Sequence, residues 1–318
     1  MEYLKIRAYN EDIHVSQLGF GTANEIQRLS KEELFAMFDQ VQETGGNLYD
    51  SAHDYLDGES ERLLGEWIRL RNNRNHLVIS TKGCHPLMKT MHINRLSAVD
   101  MEGDVNQSLT SLGVEVIDLY WIHRDDPSYP VETVVDNINR ILIRPGKVRA
   151  VGACNWSISR IAAANEYAAK TGQAGFVMSQ VQWSPVIKDQ QGLSEVQATS
   201  MNPKAYSWYR EKEMPVFSIN LGAHIYSKAV CERNLDAIPP FFVKMYDTGE
   251  NRARAGRLGE YAAKKGISVV EAYHSFMIHS SLKGIAIVDT GESLCLKEAL
   301  SSGADDMTPD DARWIFRG

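Results

Sequence analysis

Short apolar runs rich in β-branched residues alternate with longer segments of helical periodicity along almost the whole chain. The short runs, at residues 15–21, 47–50, 77–81, 116–122, 147–153, 176–181, 215–219 and 284–288, predict strands. The segments between them predict helices, and one of these follows Ser30, with Glu33 in the capping-box position. Residues 4–15 predict a β-hairpin ahead of the first of these strands.

Repeated strand–helix units predict a parallel sheet whose strands are joined by helical crossovers. A doubly wound sheet normally carries G-x-G-x-x-G after its first strand, whereas that run ends here in Gly19-Phe-Gly-Thr22 without such a pattern. We therefore expect an α/β fold, a (β/α)8 TIM barrel with a short N-terminal β-hairpin, as one domain over residues 1–318. The longer interruptions at 184–203 and 220–252 are expected to be loops over one mouth.

Composition narrows the class of protein. The 318 residues are 43% apolar and 24% charged, with a net charge of −7, which argues against nucleic acid or an anionic membrane as a partner. The start of the chain resembles no signal peptide, and no apolar run approaches the length of about 18 residues expected of a membrane span. The four cysteines are scattered without a C-x-x-C pair, as in a reducing compartment. These features predict a cytoplasmic protein and leave its oligomeric state open.

Polar residues follow the predicted strands directly. They are Asp50, Lys82, His123, Asn155, Gln180 and Gln182, and Tyr55 follows Asp50 by five positions. Because active sites of such barrels lie at the carboxyl ends of the strands, these side chains are expected to meet at one rim.

This set of side chains suits reduction of a carbonyl group. Hydride addition places negative charge on the carbonyl oxygen, which requires a positioned acid. Tyr55 is expected to be that acid, with its pKa lowered by Lys82, while Asp50 keeps the lysine charged. His123 is expected to donate a second hydrogen bond to the carbonyl. Since no side chain donates hydride, a nicotinamide cofactor is implied.

The sequence gives less support to two other kinds of catalysis. His53, His85 and His224 could suggest a metal hydrolase, but the H-x-H pattern of such barrels is missing, so no metal site is predicted. Asp125 and Asp126 could suggest a glycosidase, but adjacent carboxylates in one loop diverge, and helix capping is favoured.

The ordered motifs resemble those of the aldo-keto reductases over almost the whole chain. Tyr49-Asp-Ser-Ala-His-Asp-Tyr55, with the glycines and glutamate that follow, is similar to D-[ST]-A-x-x-Y-G-x-x-E-x-x-[LI]-G. Thr81-Lys82 and Asp118-Leu-Tyr-Trp-Ile-His123 match the family's strand-end lysine and D-L-Y-x-x-H. Gly146 to Asn155 resembles G-K-[IV]-R-x-x-G-x-S-N. The resemblance implies the barrel, NADPH-dependent reduction of aldehydes or ketones, and Asp50, Tyr55, Lys82 and His123 as the catalytic residues.

The resemblance also implies a cofactor site. Its residues would be Asn155 and Gln180 at the carboxamide with Cys154 beside them, Trp183 stacked on the nicotinamide, Gly21 and Thr22 beside the nicotinamide ribose, Ser218, Asn220 and Gly222 around the pyrophosphate, and Asp289 and Glu298 at the adenosine end. Asp50 would also contact the cofactor.

Three departures from the family pattern bear on this site. Cys154 replaces the usual serine, and Leu56 follows the tyrosine where glycine is usual. Asp289 and Cys295 occupy the positions of two basic residues that bind the 2′-phosphate of NADPH. A carboxylate repels that phosphate and accepts hydrogen bonds from ribose hydroxyls, so either NADP(H) or NAD(H) is expected as the cofactor.

Alternatives remain for the role of the chain and for its ligand. Some proteins of this fold resemble channel-associated β-subunits, so the alternative to an enzyme is a cofactor-binding regulatory subunit with little turnover. The partner is expected to be a small carbonyl or alcohol. His53, Asp54, Arg124 and Asp125 suggest that it carries hydroxyl groups, although Arg124 could equally pair with an aspartate in its own loop.

Overall fold

A closed barrel of parallel strands forms the centre of the protein. The computed structural model describes residues 1–23, 29–188, 199–219, 221–290, 293–302 and 306–318. The antiparallel hairpin is β1 (Tyr3–Arg7) and β2 (Asp12–Ser16). The barrel strands are β3 (Leu18–Gly21), β4 (Leu48–Asp50), β5 (Val78–Gly83), β6 (Ile117–Ile122), β7 (Val148–Cys154), β8 (Met178–Gln182), β9 (Val216–Ile219) and β10 (Gly284–Val288). They pair in sequence order, and β10 closes the barrel on β3, which confirms the predicted (β/α)8 barrel.

Helices surround the barrel. They are α1 (Lys31–Glu43), α2 (Glu59–Arg71), α3 (Ala98–Leu112), α4 (Val131–Asn137), α5 (Ile158–Thr171), α6 (Pro203–Lys212), α7 (Ala223–Cys231), α8 (Pro240–Tyr246), α9 (Gly249–Lys265), α10 (Val269–His279), α11 (Ser293–Leu300) and α12 (Pro309–Arg317). Ser30 and Glu33 form the predicted capping box of α1. Among the described residues, no helix is both long and apolar enough to cross a bilayer.

Two sequence-based predictions, one of a strand and one of a loop, were wrong. The run at 15–21 spans the end of β2 and all of β3, because the chain turns between Ser16 and Leu18 to leave the hairpin and enter the barrel. The interruption at 220–252 is largely helical, since it contains α7 and α8. Asn220, and residues 189–198 of the other interruption, lie outside the described residues.

Side chains of each strand alternate between two apolar layers, as the two-residue period of a strand requires. Leu119, Trp121 and Phe217 belong to the layer inside the barrel, and the rings of the last two lie 4.8 Å apart. Tyr120 and Val216 belong to the layer between the strands and the helices. The hairpin packs against the inner layer at the amino ends of the strands, so the opposite mouth carries the strand-end polar residues.

Gly152 makes room for one inner side chain that matters to the site. A Cβ atom at this position would collide with the ring of Trp121 on the neighbouring strand. Trp121 in turn donates from Nε1 to Ser80 Oγ at 2.7 Å, and Ser80 donates to Asp50 Oδ1 at 2.6 Å. The packing of β6 on β7 therefore helps to fix the Asp50 carboxylate.

Candidate active site

A buried ion pair lies at the carboxyl ends of β4 and β5. Lys82 Nζ is 2.6 Å from Asp50 Oδ2 and donates to the carbonyl of Ser51 at 2.7 Å. The two side chains are only 1% and 3% exposed. Gln180 on β8 donates from Nε2 to the same carboxylate oxygen at 3.3 Å, so three strands contribute to one cluster.

Tyr55 lies over this ion pair. Its half-buried ring has Lys82 Nζ 4.8 Å from its centroid, and the imidazole of His123 lies 6.1 Å from it, centroid to centroid. The structure thus brings together Asp50, Tyr55, Lys82 and His123, as the sequence predicted.

The ionisation of Tyr55 differs from the sequence-based expectation. Burial raises the pKa of Tyr55 above its ordinary value, and Lys82 opposes this shift without reversing it. For Lys82, burial acts to lower the pKa, but Asp50 foremost raises it above the ordinary value. The lysine is therefore charged and the phenol protonated at neutral pH.

Asp54 holds the ring of His123. Its Oδ1 is 3.0 Å from His123 Nδ1, and its Oδ2 is 3.6 Å from Nδ1 of His85, whose ring lies 4.6 Å from that of His123. Burial lowers the pKa of His123 to about 4, despite the opposing effect of Asp54. Burial acts to raise the pKa of Asp54, but its interactions with His123 foremost, and then with His85 and Lys82, bring it below the ordinary range.

The ionisation states of Asp54 and His123 assign the tautomer of His123. An ionised Asp54 only accepts hydrogen bonds, so neutral His123 donates to it from Nδ1 and keeps a lone pair on Nε2. In this tautomer Nε2 accepts a hydrogen bond, whereas the sequence-based expectation was that His123 donates one to a carbonyl. The sequence offered no means of seeing that the Asp54 carboxylate, one residue before Tyr55, reaches His123.

The side chains of Asp54, His85 and His123 place potential metal-ligating atoms within 4.8 Å of one another. Their closeness has another cause, because His123 Nδ1 is bonded to Asp54, and Nδ1 of His85 is 2.7 Å from the carbonyl of Pro86. Of the other histidines considered in the sequence, His53 Nε2 is 3.4 Å from Asp104 Oδ1. His224 is a residue of α7, and its ring packs against Tyr273 and His274. Burial lowers the pKa of His224 to about 3.

The loop that carries Tyr55 has an unusual backbone. Leu56 and Asp57 adopt φ values of 49° and 51°, in the left-handed region that favours glycine. Two further left-handed residues, Cys84 and Asn155, directly follow β5 and β7 at the same mouth, with φ of 65° and 61°. Such backbone strain is concentrated at functional sites in many proteins.

The amides expected at the carboxamide lie beside the ion pair. Cys154 Sγ donates to Gln180 Oε1 at 3.3 Å, and Asn155 Nδ2 is 3.2 Å from the same sulfur. Asn155 Oδ1 also accepts from the backbone N–H of Thr199 at 3.1 Å. Burial raises the pKa of the Cys154 thiol to about 12, which makes it a packing group and a poor nucleophile.

Trp183 does not lie in the mouth, contrary to its predicted stacking on nicotinamide. Gln180 and Gln182 share the inner face of β8 with Met178, so the next residue, Trp183, turns outward into the helix layer. Its ring packs on those of Tyr206, Phe276 and Phe316 at 5.3–5.4 Å. By the same alternation, the half-buried Ile219 shares the inner face of β9 with Phe217 and borders the mouth.

The remaining cofactor positions fall into two groups. Thr22 and Ser218 are fully buried: the Thr22 hydroxyl bonds the carbonyl of Asp50 and the hydroxyl of Ser60, and Ser218 shares the outward face of Val216. Gly222 is the N-cap of α7, with φ of 77°, and supplies no side-chain cap. The first turn of α7 contains no acidic residue, so the positive end of this helix would suit the pyrophosphate of a dinucleotide.

A model of the aldo/keto reductase family matches residues 17–315. The chain belongs to the aldo/keto reductase family. An aldo-keto reductase of Aspergillus calidoustus is 29% identical over 180 residues, 54% of this chain and 45% of the relative. The aryl-alcohol dehydrogenase [NADP(+)] of Phanerodontia chrysosporium is 30% identical over 173 residues, 51% of this chain and 44% of the relative. A putative aryl-alcohol dehydrogenase of Saccharomyces cerevisiae is 24% identical over 311 residues, 91% and 80% of the two chains. The chain spans less than half the length of the first two relatives.

The chain departs from the family pattern at two positions that were expected to lie near the adenosine of the cofactor. Asp289 follows β10 directly, and its Cβ is 3.6 Å from the position that a Cβ on Gly21 would take. Cys295 is 7% exposed in the apolar core, and Glu298 is half-buried on α11. Neither Asp289 nor Cys295 can provide the positive charge that a 2′-phosphate requires.

Proposed function

We propose that the chain is an oxidoreductase that interconverts a small aldehyde or ketone and the corresponding alcohol with NADP(H) or NAD(H). Tyr55 is its general acid and base. The observation that carries the proposal is the Lys82 ammonium, held by Asp50 and placed 4.8 Å from the ring centroid of Tyr55. The family supports this proposal, and so does the name of the aryl-alcohol dehydrogenase among its relatives.

Tyr55 retains its proton until charge develops on the substrate. Burial keeps the pKa of the phenol above its ordinary value, so an acid is present throughout the neutral range. When negative charge builds on the substrate oxygen, Tyr55 gives up its proton, and Lys82 stabilises the phenolate that remains. Asp50 keeps the ammonium charged and oriented.

His123 acts as an acceptor beside Tyr55. With Nδ1 bonded to Asp54, its Nε2 is suited to accept a hydrogen bond from a hydroxyl group, either that of the alcohol or one next to the carbonyl. A hydroxyl group on the substrate can therefore donate to His123 Nε2, whereas a plain hydrocarbon aldehyde has no such donor.

A nicotinamide dinucleotide, when bound, supplies or accepts the hydride that no side chain can provide. Asn155 and Gln180 would hold its carboxamide, and the α7 terminus at Gly222 its pyrophosphate. Asp289 would accept hydrogen bonds from ribose hydroxyls, and Glu298 would meet the adenine.

The test of this function is an assay of the purified chain with NADPH or NADH and a panel of aromatic and hydroxylated aldehydes. We expect oxidation of the reduced cofactor, with a rate that changes little between about pH 6 and 8, because the pKa of His123 is about 4 and that of Tyr55 is raised. Cofactor binding without turnover of any aldehyde or alcohol would favour the regulatory-subunit alternative, which no observation of the structure supports.

Asp289 is proposed to weaken selection for NADPH. We expect the dissociation constants of NADH and NADPH, measured by calorimetry, to lie within about tenfold of each other. Asp289→Ser should tighten NADPH binding about tenfold, because removing a charge that repels the 2′-phosphate is worth about 1–2 kcal/mol at several ångströms. Asp12→Ser, in an exposed ion pair on the hairpin, is the control and should change neither constant. NADPH selectivity of a hundredfold that Asp289→Ser leaves unchanged would contradict this proposal.

A further inference from the structure

A cavity of about 360 Å³ opens on the flank of the barrel, among α6, α9, α10 and α12. Its floor is aromatic and consists of the rings of Trp183, Tyr206, Phe276 and Phe316. None of the catalytic residues Asp50, Tyr55, Lys82 and His123 lines it, and Trp183 reaches it from the face of β8 opposite to Gln180. The cavity is therefore separate from the mouth of the barrel.

Trp183 contributes its ring to the cavity, not a hydrogen bond. The residue is 3% exposed, and its indole Nε1 is buried without a hydrogen-bond acceptor within the described part of the chain. Because that nitrogen exposes almost no surface, a ligand in the cavity meets the apolar ring of Trp183.

The rim of the cavity carries an excess of positive charge although the chain as a whole is acidic. Four arginines line it against one glutamate, Glu250, whose carboxylate is bonded to Arg254, and Arg313 pairs with Asp310. Arg254 also lies over the ring of Phe316, with Cζ 4.1 Å from its centroid. The exposed Arg210 and Arg317 have no ion-pair partner among the described residues, so their guanidinium groups are available to an anion.

From these features we propose that the flank cavity binds a flat aromatic anion, a carboxylate or sulfonate on a fused or linked ring system. The rings of the ligand stack on the aromatic floor. The anionic group meets Arg210 and Arg317, whose planar guanidinium groups match such oxyanions. The volume is in the range of small-molecule sites, about 300–1,000 Å³.

The test compares two fluorescent probes of nearly the same shape. 8-Anilinonaphthalene-1-sulfonate carries the anion, and N-phenyl-1-naphthylamine carries the same rings without it. We expect the sulfonate to bind one site per chain at least tenfold more tightly than the neutral amine. The Arg210→Gln/Arg317→Gln variant should lose about tenfold in affinity for the sulfonate and little for the amine.

Two further variants locate the site. Phe316→Leu removes one half-buried aromatic ring from the floor and should weaken the binding of both probes severalfold. Arg69→Gln/Arg233→Gln, at exposed positions that do not line the cavity, removes the same charge and should leave binding unchanged. Thermal melts check that every variant is folded. The proposal is overturned if the sulfonate does not bind the folded chain, if the amine binds equally well, or if the Arg210→Gln/Arg317→Gln variant binds the sulfonate as the parent does.

Discussion

Tyr55→Phe is expected to lower kcat for carbonyl reduction by about a hundredfold to ten-thousandfold, the usual contribution of one positioned acid. The substitution removes only the hydroxyl, while the ring keeps its place near Lys82 and His123. Cofactor affinity should stay within about twofold, because Tyr55 is assigned to proton transfer and not to dinucleotide binding. Steady-state kinetics together with calorimetric titration of the cofactor measure both quantities.

Tyr49→Phe provides the matched control. This tyrosine lies one residue before Asp50 and is buried, but its hydroxyl faces the helix layer and donates to the carbonyl of Phe38 at 2.8 Å. Its loss should cost about 1 kcal/mol of stability and leave turnover intact. If Tyr55→Phe retained more than a tenth of the parent rate, Tyr55 would not be the acid.

The barrel could be predicted from sequence because it depends on a local signal that repeats. Each strand is a short apolar run, and the β3–β10 closure follows once the number of such runs is known. The helices α7 and α8 were missed because their N-caps, Gly222 and Pro239, provide no side-chain cap. For α8, however, Pro240 at the first helical position is itself a start signal that the sequence offered.

The meeting of the four proposed catalytic residues was predictable for the same reason, because strand ends in a parallel barrel share one rim. The face of Trp183 was also within reach of the sequence: if Gln180 points inward, the two-residue period turns Trp183 outward. What sequence could not give is the balance of charges in the site. The raised pKa of Tyr55 depends on burial, and the tautomer of His123 depends on a contact with Asp54, 69 residues away along the chain.

Lys82 and Asp50 are expected to show strong coupling in a double-mutant cycle. Lys82→Met leaves the Asp50 carboxylate buried without its cation, and Asp50→Asn leaves the ammonium without its anion. Each single variant should lose about 3–5 kcal/mol of unfolding free energy, the usual cost of breaking a buried pair. The double variant removes both charges, and the amide oxygen that Asp50→Asn introduces can still accept from Ser80, so much of that stability should return.

Activity should not return with stability in the Lys82→Met/Asp50→Asn variant, because no ammonium remains to stabilise the Tyr55 phenolate. Chemical denaturation measures the stability, and turnover of the best aldehyde measures the activity. The comparison separates two roles of one ion pair, since a merely structural pair would give a double variant that is both stable and active. That outcome would remove Lys82 from the proposed mechanism, while a stable, inactive double variant that still binds cofactor assigns the pair to tuning of Tyr55.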